Sequence, residues 1–431
     1  MNESLHALIA ESPGKVFAQL PSKRVGDADR RYLNEVLDAG FRNTIDPAGI
    51  FARTESAFAA KFGVRYAVLH NSGTGTMQSC LLAAGVGPGD EVIVPPLTAV
   101  ATAVVVVQCG AVPVFADIDP ATFNLDPADV ARKITPFTKA IIPVSLYGLA
   151  PDYDGLMALA AEHDLTVIED NAECFLGEYK GRMVGAIGHA SSFSFQASKH
   201  MTSAGDGGIV ITDDQEYARN IRKRSCLGYA TLGAKPGDVF VPRDVRQDID
   251  FERHDVMGYN FRMSAVQAAL ALGQLERLDA LVAARIHIAR MYQQVLDEEQ
   301  CDWLIPPVVP DGCLHTYWTW VCKLDEERAG VDWRTFRTAF IANGGDGLYS
   351  AWRPVHLEPV FRNLAFYACP DQAPNFDPRY KGTVKSYQEG DCPVCEKLQP
   401  RLCQFKTSMQ SLDAVETQVN ALRATIREIA R

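Results

Sequence analysis

The chain has 431 residues, 47% of them hydrophobic and 22% charged, with a formal net charge of −11. That length allows one large domain plus a smaller one, and the acidic balance argues against a general nucleic-acid binder while leaving room for a local basic pocket. No run of about 18 apolar residues is present, so no membrane span is expected, and the opening MNESLHALIAESPGKVF lacks the basic start and long apolar stretch of a signal peptide, which implies a cytoplasmic setting.

From about residue 65 to 170, short apolar runs alternate with helical patterns. EVIVP, VPVFADI, AIIPVSLYG and LTVIEDNAE read as buried strands; ATAVVVVQCG, DPADVARKI and YDGLMALAAEHD read as the helices between them. That alternation predicts a mainly parallel sheet flanked by helices, with ligands beyond the carboxyl ends of the strands. DGGIVITDD adds a strand, and SAVQAALALGQLERLDALVAARIHIARMYQQVLDE reads as one long helix. A proline-rich change at CDWLIPPVVPDG suggests a boundary, giving a large domain over 1–299 and a small α+β domain over 300–431. In the latter, HTYWTWVCKL reads as a strand, DWRTFRTAFIANGG and LDAVETQVNALRATIREIA as helices, and YACPDQAPNFDPRYKGTVKSYQEGD as an irregular loop.

The eleven cysteines are scattered. Cys392 and Cys395 form one C-x-x-C, which supplies two ligands where a structural zinc site needs four, so packed reduced thiols are expected and no metal. His315, Tyr317, Trp318 and Trp320 read first as core, as do Trp352 and His356, with a place in a pocket wall as the alternative.

Three stretches carry chemistry. Ser72, Gly73, Thr74, Gly75 and Thr76 precede a helical run, and free N–H groups at a helix start bind anions; taken alone, the same residues read more often as a plain capped turn. Asp170 closes an apolar strand, where a carboxylate can hold a protonated ring nitrogen or simply cap a turn. Lys199 lies among small and hydroxyl residues between apolar runs, with Ser194 five positions earlier. An amine in a low-dielectric pocket becomes a nucleophile toward carbonyls. Anion turn, strand-end carboxylate and amine, in this order, are what pyridoxal 5'-phosphate requires.

The sequence resembles the DegT/StrS family of sugar aminotransferases, which are fold-type I pyridoxal-phosphate enzymes. NSGTGT, GVGPGDEVIVPPLTAVATA, GAVPVFADID, VIEDNAE, YKGRMVGAIGHASSFSFQASKHMTSAGDGGIVITDD and MGYNFRMSAVQAALALGQLERLD carry the resemblance. It implies that Lys199 binds the cofactor aldehyde and shuttles protons, and that Asp170 pairs with the ring nitrogen. It places Glu173 near the phenolic oxygen, and Gly73, Thr74, Gly75 and Ser194 around the phosphate. Asn260 would reach the phosphate in a neighbouring subunit, implying a homodimer with shared active sites. The implied reaction carries an amino group from glutamate or glutamine to a keto sugar, nucleotide-linked, or to a keto cyclitol. A sugar dehydratase of the same fold is the weaker reading, because such enzymes resemble this family but replace the lysine with histidine; a regulatory protein that binds the cofactor without turnover is the other. Three positions depart from the family pattern: Ala99 stands where an aromatic residue is usual, Glu173 where glutamine is frequent, and His189 where aspartate is frequent.

Overall fold

The computed structural model describes residues 2–40, 48–238 and 241–430. Seven strands build the main sheet: β1 (Tyr66–His70), β2 (Glu91–Val94), β3 (Val112–Phe115), β4 (Thr138–Ile141), β5 (Thr166–Asp170), β6 (Ala190–Ser194) and β7 (Gly208–Thr212). Their order across the sheet is β1-β7-β6-β5-β4-β2-β3. Neighbours from β6 through β3 pair in parallel, and β7 runs antiparallel to both β1 and β6.

The apolar runs are strands because both faces are covered. Ile93, Ile141 and Val167 point into one layer with Val130 and Leu156, from the helices Pro127–Lys133 and Tyr153–His163. Val92, Val94 and Ile168 point into the other with Leu81 of helix α1 (Gly73–Ala83) and Val105 of helix Ala101–Gln108. Side chains alternate across a strand, so a sheet buried on two faces needs apolar residues at successive positions.

The single long helix expected after residue 264 is two: α2 (Ala265–Leu275) and α3 (Leu278–Glu298). No proline or glycine marks the break. Arg277 leaves the helix at φ −115°, ψ 16°. Its guanidinium pairs with buried Asp29 and bonds the Arg24 carbonyl at 2.9 Å. This long-range pull outweighs a helical propensity of a few tenths of a kcal/mol per residue, which explains why local periodicity ran straight through it.

A second sheet is antiparallel, with β8 (Leu304–Ile305), β9 (Trp320–Leu324), β10 (Tyr349–Ser350) and β11 (Leu402–Phe405) in the order β8-β9-β11-β10. The expected strand HTYWTWVCKL enters this ladder only at Trp320. Upstream, Thr316 N–H and Trp318 N–H donate to the carbonyls of Gly148 and Tyr147 at 2.9 and 2.8 Å, which ties this stretch to the main sheet. The proline-rich stretch 367–391 is irregular apart from two short 3-10 turns. It lies against edge strand β3 and the start of β2, where Tyr387 donates to the Pro113 carbonyl at 2.9 Å and Tyr380 to the Glu91 carboxylate at 2.6 Å. A covered edge is closed to pairing with another chain.

Candidate active site

The carboxyl edge of the sheet gathers the chemistry-bearing residues. Ser194 ends β6 and pairs with Gly208, the first residue of β7, which in turn pairs with His70 at the end of β1. Chain leaving β1 therefore starts α1 beside Ser194. Ser72 caps that helix, its hydroxyl accepting from Gly75 N–H at 3.0 Å. A Cβ on Gly73 would fall 2.7 Å from Ser194 Cβ, and one on Gly75 would fall 3.1 Å from the Phe261 ring. These glycines let a helix start and a strand end close on one spot, with the α1 N–H groups facing it.

Asp170 ends β5 and is 3% exposed. Thr102 Oγ1 and Ala172 N–H donate to its two oxygens at 2.9 and 3.2 Å. Among the described residues it makes no ion pair. Burial is the main influence on its carboxyl and raises it above the ordinary range, against the lowering from those hydrogen bonds. Such a carboxylate is built to meet a cation.

Lys199 is 7% exposed. Its Nζ donates to Glu173 Oε1 at 3.1 Å and lies 4.2 Å from the centre of the Trp318 ring. Tyr147 N–H holds the other Glu173 oxygen at 3.0 Å. Tyr147 adopts φ +59°, in the left-handed region that costs a non-glycine residue free energy, so local strain aims this N–H.

Behind Lys199 the turn is held by side chains. Trp318 Nε1 donates to the Ser198 carbonyl at 2.9 Å. Arg285 donates to the carbonyls of Ser198 and Lys199, both at 3.2 Å, and Arg24 to those of Ala197 and Lys199.

Of the residues singled out by sequence, Asp170, Glu173 and Lys199 fall together, and Gly73, Thr74, Gly75 and Ser194 lie along the same edge. Asn260 is exposed on the rim, its carbonyl accepting from Asn71 Nδ2 at 3.3 Å. Ala99 is half-buried, on the segment leading to Thr102. His189 sits at the amino end of β6, across the sheet from Lys199, where its Nδ1 accepts from Val167 N–H at 2.9 Å. His315, Trp320 and His356 are buried, and His356 pairs with Glu396 at 2.9 Å. Cys392 and Cys395 are buried too, and free. Trp318 instead faces Lys199, and half-exposed Trp352 stands 6.2 Å from it, ring centre to ring centre. Sequence reasoning passed over Thr102, Tyr147, Arg24 and Arg285. The one local signal was for Arg285, a cation inside the apolar run LVAARIHIA.

A group that fits this edge has a cationic ring nitrogen for Asp170, an aldehyde for Lys199 and an anion for the start of α1. Pyridoxal phosphate has all three, and the class of protein is a fold-type I pyridoxal-phosphate-dependent transferase. A solved structure, that of the aminotransferase from Psychrobacter cryohalolentis, superimposes with a TM-score of 0.80 at 27% identity, covering 96% of this chain and 99% of that one. The chain belongs to the DegT/DnrJ/EryC1/StrS aminotransferase family, whose model matches residues 24–385. It is 36% identical to GDP-perosamine synthase of Caulobacter vibrioides over 79% of this chain and 86% of that one. It is 33% identical to L-glutamine:2-deoxy-scyllo-inosose aminotransferase of Streptoalloteichus tenebrarius over 97% of this chain and 95% of that one. No helix among the described residues is long and apolar enough to cross a membrane.

Proposed function

We propose that this aminotransferase carries an amino group from glutamate or glutamine to the ketone of a polyhydroxylated ring, either a nucleotide-linked keto sugar or a keto cyclitol. The observation that carries the reading is the buried Lys199 amine, 3.1 Å from Glu173, on the sheet edge where Asp170 makes no ion pair among the described residues. Two relatives support the acceptor class. One is named for a GDP-linked product, the other for transfer from L-glutamine to 2-deoxy-scyllo-inosose.

In this reading residues 1–299 bind the cofactor and 300–431 close the site from the other side. Lys199 would hold the aldehyde end of pyridoxal phosphate and Asp170 its ring nitrogen. Glu173 would lie by the phenolic oxygen, and Gly73, Thr74, Gly75 and Ser194 would hold the phosphate. Bound there, the group supplies an electron-withdrawing ring that takes up the electron pair left when a C–H bond breaks. Asp170, a buried carboxylate held by hydrogen bonds and by no ion pair among the described residues, would favour the protonated ring nitrogen. Lys199, as a free amine, would be the base placed to take the donor's α-proton and return it one carbon away. Glu173 Oε1 would receive the Lys199 ammonium formed when that amine takes the proton, while Tyr147 N–H keeps the carboxylate from turning. Asn260, exposed on its own chain, would reach the phosphate of a second copy, making the active unit a homodimer with composite sites. Scattered free thiols fit a reducing cytoplasm.

The test offers the cofactor-loaded protein glutamate or glutamine with a panel of ring ketones, and reads the exchange of ketone for amine by mass spectrometry. Aminated sugar or cyclitol supports the reading. Release of the 2-oxo acid without amination of any ring ketone contradicts the acceptor class.

A further inference from the structure

Arg285 is 5% exposed and makes no ion pair among the described residues. Burial, with the charge of Arg24 added, brings its guanidinium down to about 9. A buried cation without an anion is expensive, and an apolar side chain would fill the same space at less cost. What the guanidinium reaches accounts for its presence. Besides the Ser198 and Lys199 carbonyls, it donates to the Trp318 carbonyl at 2.6 Å and to Thr407 Oγ1 at 3.0 Å. These acceptors come from three stretches of chain: the Lys199 turn, the lead into β9, and the exit from β11. Thr407 in turn donates to the carbonyls of Tyr317 and Trp318 at 2.8 and 2.7 Å. Arg24 approaches from the N-terminal segment, and it too has no ion pair among the described residues. Three successive carbonyls, of Ala197, Ser198 and Lys199, are thus captured by Arg24, Arg285 and Trp318.

We propose that Arg285, assisted by Arg24, is a positioning residue: it locks the Lys199 turn to the Trp318 stretch, so that the amine keeps its place between Glu173 and the indole. The inference rests on the reading of Lys199 as the reacting amine. The planar fork of arginine suits this task because it spans acceptors that diverge, which the single point of a lysine ammonium does not. Both guanidiniums act through backbone carbonyls, and Arg285 also through the Thr407 hydroxyl, and neither touches the reacting atoms. A shift of about 1 Å in a reacting group costs on the order of 10²-fold in rate. Removing the lock therefore lowers turnover with little effect on substrate affinity.

The experiment compares wild type with Arg285→Met, Arg285→Lys and Arg24→Met. Cofactor content, kcat and KM for the amino donor, indole fluorescence and thermal unfolding are measured for each, and cofactor-free protein is pulse-labelled with acetic anhydride. Arg285→Met is expected to load cofactor but lose about 100-fold in kcat per loaded site, with KM changed less than about threefold. Total indole emission, to which Trp318 contributes with four other tryptophans, should shift to the red, and acetylation of Lys199 relative to surface lysines should change. Arg285→Lys should not restore kcat, and Arg24→Met should lose about tenfold. A merely structural arginine would lower thermal stability while leaving kcat per loaded site and Lys199 labelling at wild-type values; that result overturns the proposal. If Arg285→Met does not fold, Arg24→Met decides, and wild-type kcat and labelling there overturn it too. Failure of wild type to load cofactor on Lys199 is a separate result, which removes the underlying reading and the inference with it.

Discussion

Glu173 holds the Lys199 ammonium at 3.1 Å with both side chains buried, and Tyr147 N–H fixes the carboxylate from its other side. The pair exists only while Lys199 carries a free ammonium. Glu173→Gln should therefore cost roughly 3 kcal/mol of stability in cofactor-free protein, the usual penalty for leaving one half of a buried pair alone. In loaded protein the loss should be much smaller. Urea unfolding of both forms measures this, and equal losses with and without cofactor would contradict the assigned geometry.

Asp170→Asn should retain cofactor and lose about 10²-fold or more in turnover, because neutral asparagine cannot stabilise a protonated ring nitrogen. The same substitution carries a pH signature. Burial raises the folded-state value of Asp170 above the unfolded one of about 3.9. The native state then holds the proton more tightly, so stability falls as pH rises from the unfolded value through the raised one. Cofactor-free Asp170→Asn should be more stable than wild type at pH 7, with the advantage fading as the pH drops toward 4. Urea midpoints at the two pH values check the sign.

Gly73→Ala places a methyl 2.7 Å from Ser194 Cβ, too close for either backbone to stay where it is. Overpacking of this kind costs about 1–3 kcal/mol, and here it falls on the proposed phosphate site. Cofactor affinity should drop about tenfold or more. Gly87→Ala serves as the control, since nothing lies within 4 Å of the added Cβ. Equilibrium titration of both variants distinguishes a lost cradle from a generic glycine effect.

These expectations trace back unevenly to the sequence. The alternation of apolar runs and helical patterns was enough to place Asp170 on the carboxyl edge, because a parallel sheet buried on two faces leaves few other arrangements; Ser194 was placed by the family resemblance alone. Lys199 was legible from its surroundings, a single ammonium among small residues. The break at Arg277 was not, because its cause is Asp29, some 250 positions away in sequence. Trp318 looked like core for the same kind of reason. Alternation within HTYWTWVCKL presumes a continuous ladder, whereas Thr316 and Trp318 bond to Tyr147 and Gly148 first and turn the indole toward Lys199. Arg285 showed only as a cation inside an apolar run, because its partners are backbone carbonyls and a hydroxyl, which leave no complementary charge to find.

Asn260 tests the shared site. Mixing Lys199→Ala chains with Asn260→Ala chains should restore part of the activity that each lacks alone, because one of the two sites in a mixed dimer has both groups intact. Demonstrably mixed dimers without recovery would place Asn260 outside the partner's site.

The central claim is that Lys199 is the amine that takes the cofactor. Borohydride reduction of the loaded protein followed by peptide mapping tests it most directly. One stable pyridoxyl label is expected, on Lys199, lost in Lys199→Ala together with turnover while the fold remains. A label on any other lysine, or a Lys199→Ala protein that still turns over, would contradict it.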